Sequence, residues 1–240
     1  MAYATASQEE YTDTDHLGGF MQEETQGFFL ALEGIDGAGK TTLLKWIQEW
    51  FTRHSVEHTV TREPGGTPTA ELIRNILLVK DDDLDEMAPM AETLLFMAAR
   101  DLHWNNLIKP KLDAGELVIS DRFCDSTFCY QGAGRGMDVE LLQELHRLAL
   151  KDIRPNLTIV LDGDPELFRQ RAIDRGDTNR LDEVSLEFHT ASRKLYKQFA
   201  EASPERYLII NAELDFHQVT AQVIPHLMTI VNGMWKRPTL

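Results

Sequence analysis

Residues Gly34 to Thr42 read GIDGAGKTT, and the chain on either side of them decides the fold. The apolar run Phe28-Phe29-Leu30-Ala31-Leu32 precedes them, and Leu43, Leu44, Ile47 and Phe51 follow at helical spacing. The pattern is therefore strand, glycine-rich turn, helix start. Gly34, Gly39, Lys40 and Thr41 occupy the fixed places of G-x-x-x-x-G-K-[ST], with Ile35, Asp36, Gly37 and Ala38 between them and Thr42 just after. Glycines remove Cβ atoms so that backbone N–H groups can turn inward around a phosphate, and the helix N-terminus adds its positive dipole end there. Lys40 is expected to reach the β- and γ-phosphates of a bound nucleotide, and the Thr41 hydroxyl to ligate Mg²⁺.

The composition excludes several classes. At 240 residues, with 42% hydrophobic and 26% charged residues, the chain suits one globular domain or one domain with insertions. No apolar run is long enough to span a bilayer, and residues 1 to 27 are acidic without an apolar centre, unlike a signal peptide. The expected compartment is the cytoplasm, with no membrane partner. Cys124 and Cys129 lack metal-ligand or CxxC spacing and read as small buried hydrophobes. A formal net charge of −15 argues against a nucleic-acid partner, yet the P-loop must bind phosphate, so positive charge has to be concentrated locally.

Residues 1–27 contain no Lys or Arg and are expected to form a disordered acidic tail. Residues 28–233 form the catalytic domain of this reading, and 234–240 a C-terminal tail. His58 to Thr61 is a second strand, ended by Arg62-Glu63-Pro64-Gly65-Gly66, with a helix from about Thr67 to Val79 after it. A long amphipathic helix spans Met87 to Ile108 until Lys109-Pro110 interrupts it; Phe96 and Arg100 project from it together. Leu117 to Ser120 is a buried strand ending in Asp121-Arg122, where a Walker-B-type carboxylate would sit. Strands at Asn156–Leu161 and Tyr207–Ile210 complete five, each followed by a helix, which argues an α/β fold with a parallel sheet covered on both faces.

EGIDGAGKTT, TREPGG, LLFMAAR, ISDRF followed by STFCYQG, and RGDTNRLD, in this order, resemble the thymidylate kinases, specifically their bacterial branch, from about Phe28 to Val231. The resemblance implies a P-loop NTPase-type three-layer fold with sheet order 2-3-1-4-5, a lid at about residues 171–184, homodimers, and transfer of the γ-phosphoryl of ATP to dTMP in dTTP synthesis. It assigns Asp36 to the acceptor sugar and phosphate region, and Arg62 and Arg122 to the acceptor phosphate. A guanidinium fork suits phosphate oxygens, and both arginines end strands, where parallel sheets bind ligands. Asp121 would position Mg²⁺, partly through water. Phe96 would stack on the base and Arg100 contact a thymine carbonyl; Ser126 and Thr127 align with hydrogen-bonding positions for the base edge, and Tyr130 with the aromatic that crowds a ribose 2′-hydroxyl. Gln131 lies beside them. Read alone, Phe96 is also a core residue, Asp36 a turn residue, and either arginine a surface ion-pair member.

Some thymidylate kinases place an arginine in the P-loop where this chain has Gly37; the glycine branch carries its arginines in the lid. Arg175 is then the main catalytic cation, with Arg171 and Arg180 behind it. Catalysis in such an enzyme is alignment and charge neutralisation, through Lys40, Asp36, Arg122 and Arg175. Another nucleoside monophosphate kinase, or a deoxynucleoside kinase, would use the same P-loop and Asp-Arg pair. A non-catalytic nucleotide-binding module would bind ATP without transferring it. No N-K-x-D guanine motif supports a GTP switch.

Overall fold

In the computed structural model, which describes residues 27–79, 85–175 and 185–233, strand β1 (Phe28–Glu33) lies between β3 (Leu117–Asp121) and β4 (Leu157–Asp162). β2 (His58–Arg62) and β5 (Tyr207–Asn211) form the edges, so five parallel strands run in the order β2-β3-β1-β4-β5. This is the expected order. The pleat sends alternate residues of β1 to opposite faces. Leu30 and Leu32 enter one core with Leu43, Ile47 and Phe51 of α1 (Lys40–Arg53) and Val223 and Leu227 of α9 (Phe216–Val231). Phe29 and Ala31 enter another with Met97 of α3 (Pro89–His103), Leu112 of α4 (Lys109–Asp113) and Leu142 of α6 (Val139–Leu150). A sheet with both faces buried needs predominantly apolar strands, as over residues 28–32 of β1, 117–119 of β3 and 159–161 of β4.

The helix predicted from Thr67 is α2 (Pro68–Leu78), with Pro68 in its first turn, where a missing N–H costs no intrahelical bond. Lys109-Pro110 does not interrupt its helix as the sequence reading had it. α3 passes through a π-helical turn, Trp104–Ile108, straight into α4, which takes Pro110 at its start. The wider turn moves the bonding partner from i−4 to i−5, so the proline sits where no α-helical N–H is needed. α5 (Cys124–Thr127) and a second π-helical stretch, Phe128–Gly134, carry the chain away from β3, and α7 (Pro165–Arg175) follows β4. α8 (Leu186–Ala202) packs on the stretch Phe128–Gly134, where Ser192 Oγ donates to Cys129 O at 2.9 Å. No described helix is long and apolar enough to cross a membrane. The tail expected over 1–27 and that at 234–240 lie, Gly27 apart, outside the described residues, as do positions 176–184 of the expected lid.

Candidate active site

The carboxyl ends of β1, β2 and β3 open on one cleft, whose lining includes Lys40, Thr41, Thr42, Arg62, Asp121 and Arg122. The P-loop reaches it through glycines in the left-handed region: Gly37 stands at φ +81° and Gly39, which starts α1, at φ +94°. At Gly37 a second constraint applies, because a Cβ would collide with the carbonyl oxygen of Phe168 in α7. An arginine at this position would have to displace that helix. The glycine is therefore fixed by packing as well as by backbone conformation.

Lys40 folds back onto its own loop, its Nζ donating to Gly34 O at 2.9 Å and Ile35 O at 3.0 Å, and it lies 3.8 Å from Asp36. Burial, then the nearby Arg122, lowers its ammonium pKa to about 8 against the pull of Asp36. Asp36 is also buried, which alone would raise its pKa, but Arg122, Lys40 and the Tyr130 hydroxyl hold the carboxyl down at about 2. It is an anion at neutral pH.

Arg122 is the hub. It follows Asp121 at φ +73°, outside the range a residue with a Cβ adopts unsupported, and its N–H donates to Leu32 O at 2.9 Å. Nη2 donates to Asp36 Oδ1 at 2.5 Å and to the Tyr130 hydroxyl at 3.0 Å; Nη1 donates to Ser126 Oγ at 2.9 Å and Gly34 O at 3.1 Å. Tyr130 in turn donates to Asp36 Oδ2 at 2.8 Å, and the guanidinium lies 4.9 Å from its ring centroid. The structure thus joins Asp36, Arg122, Ser126 and Tyr130 directly.

A second cluster lies under the first. Arg100 is buried, with Nε donating to Glu63 Oε2 at 2.7 Å and Nη2 to Thr127 Oγ1 at 2.9 Å. His103 holds the other Glu63 oxygen at 3.0 Å and pairs with Thr61 Oγ1 at 2.6 Å. Phe96 is buried as well, at 9% exposure. Gln131 donates to Glu92 Oε1 at 2.8 Å, and Arg135 binds the same carboxylate. Arg62 is half exposed and its Nη2 donates to Glu71 Oε2 at 2.9 Å, away from the Arg122 hub.

Sequence reading missed Arg74, which lines the cleft from α2 with Nη1 on Pro64 O at 2.7 Å. Nothing in its local sequence distinguishes it from a surface helix arginine. It also missed Glu33, although an acid closing a wholly apolar strand was a usable signal. Asp121 Oδ1 is buried without a hydrogen-bond partner, in the same cleft as Thr41. Arg171 donates to Ala212 O at 3.0 Å; Arg175 ends α7, and its side chain and Arg180 lie outside the described residues.

The cleft thus sets four cations, Lys40, Arg62, Arg74 and Arg122, against three carboxylates, Asp36, Glu63 and Asp121, on a chain of net charge −15. A thymidylate kinase family model matches residues 32–223. The thymidylate kinase of Marinomonas sp. (strain MWYL1) is 40% identical over 88% of this chain and 98% of its own length. That of Citrifermentans bemidjiense is 41% identical over 88% of this chain and 95% of its own. The crystal structure of thymidylate kinase from Ehrlichia chaffeensis superposes with a TM-score of 0.64 at 34% identity, covering 84% of this chain and 98% of that one. The chain belongs to the thymidylate kinase family.

Proposed function

We propose that the cleft holds ATP and dTMP head to head over the P-loop. The amides of Gly37 to Thr42 and the Lys40 ammonium take the β- and γ-phosphates, with Lys40 exchanging its bonds to Gly34 O and Ile35 O for phosphate oxygens. Arg62, Arg74 and Arg122 take the acceptor phosphate, and Asp36 fixes the Arg122 fork on the acceptor side of the loop. Phe96, Arg100, Ser126 and Thr127 receive the thymine, with Gln131 at its margin, and Tyr130 excludes a 2′-hydroxyl. The observation that carries this reading is the Arg122 hub. A guanidinium held on Asp36, Tyr130 and Ser126 beside the P-loop lysine is a preorganised cation between two phosphate sites.

Thr41 and Asp121 fit Mg²⁺. One hydroxyl and one carboxylate with an unsatisfied oxygen suit an ion that keeps most of its shell for water and phosphate. When bound, Mg²⁺ neutralises phosphate charge. Arg175, with Arg171 and Arg180, is assigned to the transferring phosphoryl group, because Gly37 leaves the loop without a cation there. The protein works in the cytoplasm as a homodimer. Leu72 and Ile76 on α2, Val79 just after it and Leu94 on α3 are large apolar side chains left exposed, the first two at helical spacing, on two helices that pack together.

Lys40→Ala tests the donor half. Its kcat for ATP and dTMP should fall by roughly 10²-fold or more. Circular dichroism should remain that of the parent, and turnover near the parental rate would remove Lys40 from the mechanism.

A further inference from the structure

Glu33 ends β1 wholly buried, and none of the substrate contacts above uses it. Its carboxylate nevertheless accepts four hydrogen bonds. Oε1 takes Phe123 N at 2.8 Å and Ser126 N at 3.3 Å; Oε2 takes Ser126 Oγ at 2.6 Å and the Tyr196 hydroxyl at 2.8 Å. Three of these come from the segment directly after Arg122, and the fourth from α8. Ser126 Oγ stands between the two charges. By donating to Glu33 it turns a lone pair toward Arg122 Nη1, 2.9 Å away. Glu33 also fixes the amide that follows Arg122, whose φ of +73° needs outside support.

We propose that Glu33 is a positioning residue for the acceptor phosphate: it holds the backbone after Arg122 and orients Ser126 so that the guanidinium fork keeps its aim. Tyr196 anchors the carboxylate from α8. The inference rests on the assignment of Arg122 to the dTMP phosphate.

Burial, with Asp125 behind it, raises the Glu33 carboxyl to about 7 against the pull of Arg122. Lys40 of α1, Cys129 of the π-helical stretch and Tyr196 of α8 also face it. The ionised form, present above neutrality, accepts at both oxygens.

The test is Glu33→Gln with Tyr196→Phe beside it, assayed at pH 8 and pH 6. The amide keeps an acceptor for Phe123 N but sets an NH₂ against two O–H donors. At pH 8 the KM for dTMP should rise on the order of tenfold, as expected for one lost bond to a charged group, while the KM for ATP stays within about twofold. At pH 6, where the parental carboxyl is protonated, the gap between parent and variant should narrow. Tyr196→Phe should move the dTMP KM in the same direction by about threefold, and decides the matter if Glu33→Gln does not fold. Equal changes in both KM values, or a lower Tm with the dTMP KM unmoved in both variants, would overturn the inference and leave a purely structural role. Absence of dTMP turnover in the parent would overturn the functional reading and this inference with it.

Discussion

Glu33 brings the energetics of the site to the residue scale. Its folded pKa, about 7, lies above the usual carboxylate value because burial penalises the charge, so the folded state binds the proton more tightly than the unfolded chain. The resulting stability is fully present below the unfolded pKa, near 4.5, and is lost as pH rises through about 7. In urea melts, the parent should lose roughly 3 kcal/mol relative to Glu33→Gln between pH 4.5 and 7.5. A difference that stayed flat over that window would show a carboxyl ionised throughout. Lys40 and Thr41 could be read as site residues from the P-loop alone, since the pattern is contiguous, whereas Asp36 sits at a free position of it and was assigned through the family resemblance. Glu33 and Tyr196, 163 positions apart, meet only after folding, and neither carries a local pattern that predicts the other. Arg74 was hidden for the same reason.

At the scale of elements, hydrophobic period gave the helices and strands because each face of the sheet needs its own apolar series, and β1 supplies both. The proline at 110 was misread because a π-helical turn leaves no trace in apolar spacing. α7 shows how two elements constrain each other. Its Phe168 carbonyl closes the space over Gly37, so no arginine fits at that position of the loop and Lys40 is the loop's cation. If Arg175 at the end of that helix supplies a further one, Arg175→Ala should lower kcat by roughly 10²-fold with both KM values nearly unchanged. If the arginine only complements the helix dipole, kcat should survive and stability fall by about 0.3–1 kcal/mol. Steady-state kinetics beside a thermal melt separates these.

At the scale of the molecule, the acidic chain as a whole and the cleft with its excess of cations serve different ends. A net charge of −15 repels nonspecific polyanions, while the local excess of cations in one cleft favours phosphate there. The exposed apolar side chains of α2 and α3 are the face on which a second copy is proposed to pack. Ile76, 52% exposed, is the sharpest probe. Ile76→Glu should weaken self-association by about 10²-fold or more through a buried unpaired charge, measured by sedimentation equilibrium. A parent that sediments as a monomer at micromolar concentration would contradict the homodimer.

In the proposed reaction Arg122, Arg62 and Arg74 hold a pyrimidine deoxynucleoside monophosphate opposite ATP. Initial rates with ATP and dTMP, dUMP, AMP, GMP or thymidine as acceptor test it in one assay. The highest kcat/KM is expected for dTMP, with a loss of roughly tenfold or more for dUMP from the missing methyl group, and little transfer to purine monophosphates or to thymidine, which lacks the phosphate. Preference for AMP or GMP, or transfer to thymidine as fast as to dTMP, would contradict it.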